Sequence, residues 1–427
     1  MTAPPHVVLL APCCDGTDTG EAWSTFQWVR HLSARCRVTV LSYRKRDRPS
    51  VVEQLPGVEV VEWNDLPLVG RARRFNAMAK PGYAAFYLRA RRWLRRAPSR
   101  RRRIDLIHQL APLAPRYPSP AAGLGVPWVL GPVGGGLVAP SAFASDLARD
   151  MPWFERLRGL DALRLAHDPI LRHTLTDAAA VVGVAPYVGQ LLGAVPLQRF
   201  VVESETGVLD PAAASTRSGR QGPLQLLFVG RVLARKGCRY LVRAVARLPN
   251  PRDVRLDVLG SGTDLEHCRG LVRELGLHEV VRFHGQVPRA QVDEAYRRAD
   301  VFVFPSLIEP SGNVVFEALA HGLPVVTCAS GGPGHVVDGS CGVALPPTTP
   351  DALVQALAGA LSGLLSDPIG RERLAVGACR RVRELADWGL KADRMLSLYE
   401  KVLSGTRRSG CGEGRTAART VVAAHVE

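Results

Sequence analysis

Short apolar runs alternate with helix-length amphipathic stretches along this chain, and the whole pattern occurs twice. In the first half the apolar runs lie at 7–11, 37–42, 58–61, 104–110, 127–131, 178–182 and 199–202. In the second half they return at 224–229, 255–259, 280–284, 300–304, 324–327 and 342–345. Strands joined by helix-length connections pair in parallel and need helices on both faces of the sheet. Between the halves, residues 204–223 lack any apolar period and carry Ala-Ala-Ala-Ser-Thr-Arg-Ser-Gly, which reads as a linker. The spacing therefore predicts an α/β chain of two Rossmann-like domains with parallel sheets facing each other across a cleft. The expected boundaries are a first domain over 1–203, the linker 204–223 and a second domain over 224–388. A helix over 389–404 is expected to cross back to the first domain. The Gly-, Ser-, Arg- and Thr-rich tail 405–427 is expected to be disordered.

In open parallel sheets, ligands bind outside the carboxyl ends of the strands. The residues that follow each apolar run are thus the ones to inspect. After 300–304 comes Glu309-Pro-Ser-Gly-Asn-Val-Val-Phe-Glu317, two carboxylates eight apart around a Gly-Asn helix start. A helix N-terminus there offers backbone N–H groups to an anion. After 224–229 comes Gly230-Arg231, then Lys236-Gly237, two cations suited to a diphosphate: a planar fork and a point charge. Gly260-Ser-Gly262 is a Gly-rich turn at another strand end. Phe283-His-Gly-Gln-Val287-Pro is a strand end whose backbone suits the edge of a nucleobase.

Charge and cysteine usage narrow the remaining options. The net charge is +16, and residues 71–103 hold thirteen Lys or Arg with no Asp or Glu. Interleaved aromatic and apolar residues make this stretch a candidate for contact with an anionic membrane surface; no nucleic-acid-binding motif accompanies it. No CxxC pair or zinc-like His spacing occurs among the nine cysteines, which suits a reducing compartment. No Asp-x-Asp occurs, so no metal is expected on a diphosphate. The N-terminus lacks a basic n-region and no apolar stretch reaches bilayer-spanning length. The expected location is cytoplasmic, including the periphery of the inner membrane face.

Taken together, the motifs in 224–346 resemble the retaining glycosyltransferases of the two-Rossmann-domain (GT-B) fold, in particular glycosyltransferase family 4. The anchors are Phe228-Val-Gly-Arg231 with Lys236-Gly237, Gly260-Ser-Gly262, Phe283 to Pro288, Glu309 to Val326 and Gly331 to Gly339. The first half resembles these enzymes more loosely, through Asp18-Thr-Gly20-Glu21, Asp105-Leu-Ile-His108 and the glycines 134–136. The resemblance implies transfer of a sugar from a nucleoside-diphosphate donor to a glycan or lipid-linked acceptor, with no cofactor. It implies that Arg231 and Lys236 hold the diphosphate, Glu317 the ribose hydroxyls and Glu309 the sugar. Backbone N–H groups of Gly312, Asn313 and Val314 would meet donor oxygens, with Gly20, Gly262 and Val287 also lining the donor. His108 is the candidate for a histidine touching the sugar, although Leu110 stands where many relatives carry a second histidine. Competing readings are a sugar-nucleotide epimerase, a glycoside phosphorylase, or a basic membrane-associated binding protein with a vestigial sugar site.

Overall fold

The computed structural model describes residues 4–44, 48–64, 82–97, 103–148, 159–209 and 222–409. Two compact units emerge: one comprises Met1–Gly136, Gly159–Glu205 and Trp388–Glu427, the other Leu137–Arg158 and Thr206–Asp387.

The first unit is built on a seven-stranded parallel sheet of order β3-β2-β1-β4-β5-β6-β7. Its strands are β1 (His6–Ala11), β2 (Arg37–Arg44), β3 (Glu59–Asn64), β4 (Leu106–Gln109), β5 (Trp128–Val133), β6 (Ala180–Gly183) and β7 (Phe200–Val202). Its helices are α1 (Glu21–Ser33), α2 (Val51–Gln54) and α3 (Gly82–Arg96), then, past the segment that joins the other unit, α5 (Gly159–His167), α6 (Pro169–Asp177), α7 (Tyr187–Leu191) and α15 (Trp388–Ser409). Alternate residues of the central strands feed two apolar layers, as a sheet covered on both faces requires. Val7, Leu9 and Ala11 join the layer under α1 and α15, while Val8 and Leu10 join the layer under α3, α5 and α6.

The second unit repeats the plan with six parallel strands, order β10-β9-β8-β11-β12-β13. These are β8 (Leu224–Val229), β9 (Val254–Leu259), β10 (Val281–Gly285), β11 (Val301–Phe304), β12 (Val325–Cys328) and β13 (Gly342–Leu345). Its helices are α4 (Ala144–Ala148), α8 (Cys238–Ala246), α9 (Leu265–Glu274), α10 (Arg289–Arg298), α11 (Asn313–Ala320), α12 (Gly331–Val336), α13 (Pro350–Ser366) and α14 (Pro368–Ala386). Strand order reverses direction between β1 and β4 in one sheet and between β8 and β11 in the other, the points where such sheets open a crevice. Among the described residues no single helix is long and apolar enough to cross a membrane.

Three expected boundaries need correction. Residues 137–148, assigned above to the first domain, belong with the second unit: Phe143 and Leu147 enter its core, and the Tyr240 hydroxyl donates to Asp146 at 2.7 Å. The linker does not begin at 204. Residues 203–207 are buried, Trp28 Nε1 donates to the Glu205 carbonyl at 3.0 Å, and Val208 bridges to Asp387; residues 210–221 lie outside the described ones. The tail does not begin at 405, since α15 continues to Ser409.

The last helix belongs to the first unit because of what its inner face meets. Trp388 packs edge-on to Trp28, with ring centroids 5.4 Å apart. Fully buried Lys391 donates to Glu203 Oε1 at 2.7 Å, to the Ser204 carbonyl at 2.7 Å and to Ser204 Oγ at 2.8 Å. Its ammonium also lies 5.0 Å from the centre of the Trp28 ring. Arg394 takes the other Glu203 oxygen at 2.6 Å. A buried ammonium is tolerated only when its charge and its donors are met, and here they are.

Candidate functional site

The switch point of the second sheet is assembled from strand-end loops that touch through bare backbone. Gly230 follows β8 with φ 146°, and its N–H donates to the Leu259 carbonyl at 3.0 Å. A Cβ on Gly260 would stand 1.9 Å from the Gly230 carbonyl oxygen, and one on Gly262 2.2 Å from that of Val232. Only glycine lets the loops after β8 and β9 lie so close. For Gly262 this is a packing role, made visible by its neighbour and not by the sequence.

Beyond Gly230 the chain exposes Arg231, makes one 3₁₀ turn and reaches Lys236 and Gly237. Gly237 has φ 77°, and a Cβ there would lie 2.1 Å from the Pro305 carbonyl oxygen. That close approach presses Lys236 against the end of β11, the neighbouring strand across the switch point. The Lys236 ammonium is buried over the Phe304 ring at 5.6 Å, donates to the Ile308 carbonyl at 3.2 Å and forms a short ion pair with Glu309 Oε2. Burial pulls Lys236 below its ordinary pKa; Glu309 opposes this, and the nearby Arg235 and Arg231 reinforce it. Arg231, Lys236 and Glu309 thus share one electrostatic neighbourhood.

Glu309 is held at both ends. Its carbonyl accepts from the Gly332 N–H at 3.1 Å, and its Oε1 lies 3.4 Å from the Gly312 N–H. Gly312, with φ 87°, starts α11, whose first-turn N–H groups have no acceptor within the helix. Asn313 opens that turn; its Oδ1 is buried and finds no hydrogen-bond partner among the described residues. Val314 is half-buried and Val287, after β10, packs partly on the core.

Glu317 lies one turn into α11 within a network that has no local signature in the chain. Arg289 donates to its Oε1 at 2.8 Å, and the Tyr296 hydroxyl lies 3.2 Å from its Oε2 and 3.3 Å from the Val314 carbonyl. Burial first, then the Glu317 charge, hold Tyr296 well above the ordinary phenol pKa, so the hydroxyl remains a donor. His321 stacks on Tyr296 with centroids 5.0 Å apart, and its Nδ1 lies 2.8 Å from the Glu317 carbonyl. Arg289 and Tyr296 stand 28 and 21 residues away in the chain, a spacing with no local signature.

In the first unit, two residues expected at the donor behave differently from each other. Gly20 caps α1 with φ 64° and faces open space. His108 is a correction: it lies fully buried on β4, its Nε2 2.6 Å from the Gly131 carbonyl and its Nδ1 2.5 Å from the Tyr399 hydroxyl. A carbonyl only accepts, so Nε2 carries the proton and Nδ1 accepts from Tyr399. Burial pulls its pKa down to about 4. Both nitrogens are spent on the core, and no sugar reaches them. The glycines after β5 are also partly committed: Gly134 donates to the Leu113 carbonyl at 2.7 Å and Gly135 to the Tyr187 hydroxyl at 2.9 Å. Among the described residues, no three His, Cys, Asp or Glu side chains are grouped to hold a metal ion.

Paired Rossmann-like units define the GT-B architecture. Sucrose-phosphate synthase from Thermosynechococcus elongatus superimposes with a TM-score of 0.64 at 22% identity, over 94% of this chain and 100% of that one. Anabaena Alr3699/HepE in complex with UDP gives 0.63 at 16% identity, over 93% and 100%. Within that fold class, residues 215–375 match the family model described as Glycosyl transferases group 1. Among curated relatives, a D-inositol 3-phosphate glycosyltransferase of Kineococcus radiotolerans is 36% identical over 50% of this chain and 54% of its own length. A glycogen synthase of Mycobacterium tuberculosis is 33% identical over 45% and 46%. The chain spans about half the length of the curated relatives it matches.

Proposed function

We propose that this protein is a glycosyltransferase that moves a sugar from a nucleoside-diphosphate donor to an acceptor hydroxyl. The observation that carries the reading is the Lys236–Glu309 pair at the β8/β11 switch point, beside the start of α11 and within electrostatic reach of Arg231. The barrier in such a transfer is departure of the diphosphate while positive charge builds on the sugar ring. Lys236, Arg231 and the α11 N-terminus would meet the leaving-group charge without reorganising. Glu309 has one oxygen on Lys236 and another facing Gly312, so it would bind sugar hydroxyls while keeping Lys236 charged. Glu317, pre-aimed by Arg289 and Tyr296, would accept O–H bonds from the ribose diol. A match to the Glycosyl transferases group 1 model over this same segment, and the UDP complex of a protein sharing the fold, support this assignment.

We further infer retention at the anomeric carbon, as in family 4, by same-face attack in which the leaving phosphate takes the acceptor proton. A cation pair in place of a bridging metal fits that scheme. The acceptor is inferred to be a glycan or lipid-linked intermediate of cell-envelope or exopolysaccharide assembly, met in the cytoplasm or at the inner membrane face. To test the assignment, the protein is incubated with a panel of nucleotide sugars and diphosphate release is followed. At least one donor should turn over, and Lys236→Ala and Glu317→Ala should reduce turnover about a hundredfold, the scale of losing one charge-stabilising contact. Inert donors throughout, with no nucleotide raising the melting temperature, would refute the assignment.

A further inference from the structure

Helix α3 has two incompatible faces. Tyr83, Phe86, Ala90 and Leu94 recur at helical spacing and are buried in the apolar layer with Val8, Leu10, Leu41 and Ile107. On the other side, Ala84, Leu88, Arg92 and Arg95 form an exposed stripe, with Arg89 beside it. The helix holds five arginines and no acidic residue. A solvated helix normally mixes signs, because i,i+4 acid–base pairs relieve like-charge repulsion. Here no carboxylate pairs with Arg92 or Arg95 among the described residues. Amid these cations Leu88 is 67% exposed.

The neighbouring helices of the same layer extend the pattern. Leu165 of α5 and Leu171 and Leu175 of α6 join α3 in one apolar cluster, so all three helices cover the same side of the sheet. On their outer side Leu163 is 57% and Ile170 62% exposed. The layer's acids are already committed: Asp168 to Arg164 at 2.9 Å and to the α6 N-terminus, Asp161 to Arg116 at 3.1 Å. Arg92 and Arg95 are left facing outward beside the aliphatic side chains of Leu88, Leu163 and Ile170.

We propose that this outer layer, centred on Leu88, Arg92 and Arg95, docks on an anionic phospholipid surface. Guanidinium groups pair with lipid phosphates in a planar fork, while the flanking aliphatic side chains enter the boundary between headgroups and acyl chains. A nucleic-acid duplex would satisfy the arginines but offers nothing to Leu88, Leu163 and Ile170, which favours lipid. The proposal does not depend on the donor site, since it concerns residues of the first unit alone.

Flotation of the full chain with phosphatidylglycerol vesicles, against phosphatidylcholine vesicles, tests it. Binding should be specific to phosphatidylglycerol and weaken with salt. Arg92→Gln together with Arg95→Gln should lower partitioning about thirtyfold, from about fivefold per residue at ~1 kcal/mol each. Leu88→Ser should lower it further while leaving affinity for a DNA duplex unchanged. Arg92→Lys with Arg95→Lys should retain most binding, which separates loss of charge from loss of fold. Equal binding to both lipids, or an Arg92→Gln/Arg95→Gln protein that floats like the parent, overturns the proposal. So does a Leu88→Ser protein unchanged on vesicles while duplex DNA binding tracks the arginines; the layer is then a polyanion surface.

Discussion

The buried His108 makes the first unit sensitive to acid in a calculable way. Its Nε2–H donates to the Gly131 carbonyl and its Nδ1 accepts from Tyr399, so the neutral ring satisfies both partners and the charged ring cannot. The unfolded chain takes up a proton at this histidine near pH 6.5, whereas the native state resists until about 4. Between those values the unfolded state binds more protons, so stability is full above pH 6.5 and falls as the pH drops toward 4. At ~1.4 kcal/mol per pKa unit, the gap between 6.5 and about 4 amounts to about 3 kcal/mol. The assay is urea denaturation across this window, read by the fluorescence of Trp28, Trp128 and Trp388, all buried in the first unit. Carboxylates titrate in part of the same range, so the control is His108→Gln, which keeps a polar group and removes the titration. The parent should lose about 3 kcal/mol more than the variant over the window. Parallel stability curves, or a His108 resonance in the native protein that titrates near 6.5, would refute the reasoning.

Three further outcomes follow from the contacts described. Lys391→Met should destabilise the first unit by about 3 kcal/mol, the low end for breaking a buried pair because Arg394 still satisfies Glu203; denaturant unfolding measures it. Gly237→Ala should cost about 2 kcal/mol or more, since the residue needs a positive φ and its Cβ would strike the Pro305 carbonyl; thermal unfolding should show this, together with a smaller nucleotide-induced shift. Arg289→Ala should weaken binding of a nucleoside diphosphate about tenfold, as expected for a charge-assisted contact of about 1.5 kcal/mol, and leave a 2′,3′-dideoxy analogue unaffected. An equal loss on both ligands would mean that Arg289 does not act through Glu317.

The parallel architecture was legible because strands buried on both faces must be apolar throughout, and such runs recur at helix-length intervals. The Lys236–Glu309 meeting was half legible. Each residue could be read at a strand end, but their contact depends on β8 and β11 being neighbours across a switch point, and on the bare backbone of Gly237. His108 misled because a histidine at a strand end looks alike whether it faces a ligand or a core. What decides is Tyr399, 291 residues away. Residues 137–148 misled for a related reason: Phe143 and Leu147 show an apolar face, and nothing in their periodicity says which of two cores receives it. Arg289 and Tyr296 escaped notice because a carboxylate's partners are chosen by three-dimensional neighbours.

The placement of α15 has a consequence for how the molecule comes into being. On the ribosome, residues up to Glu205 emerge long before Trp388 to Tyr399. Until then Trp28 lacks its aromatic neighbour, Glu203 its buried ammonium and His108 the hydroxyl that fixes its tautomer. The unit begun first is therefore completed last, and the intervening unit, whose apolar core among the described residues runs from Ala139 to Ala386, can mature while its predecessor still waits with one flank uncovered.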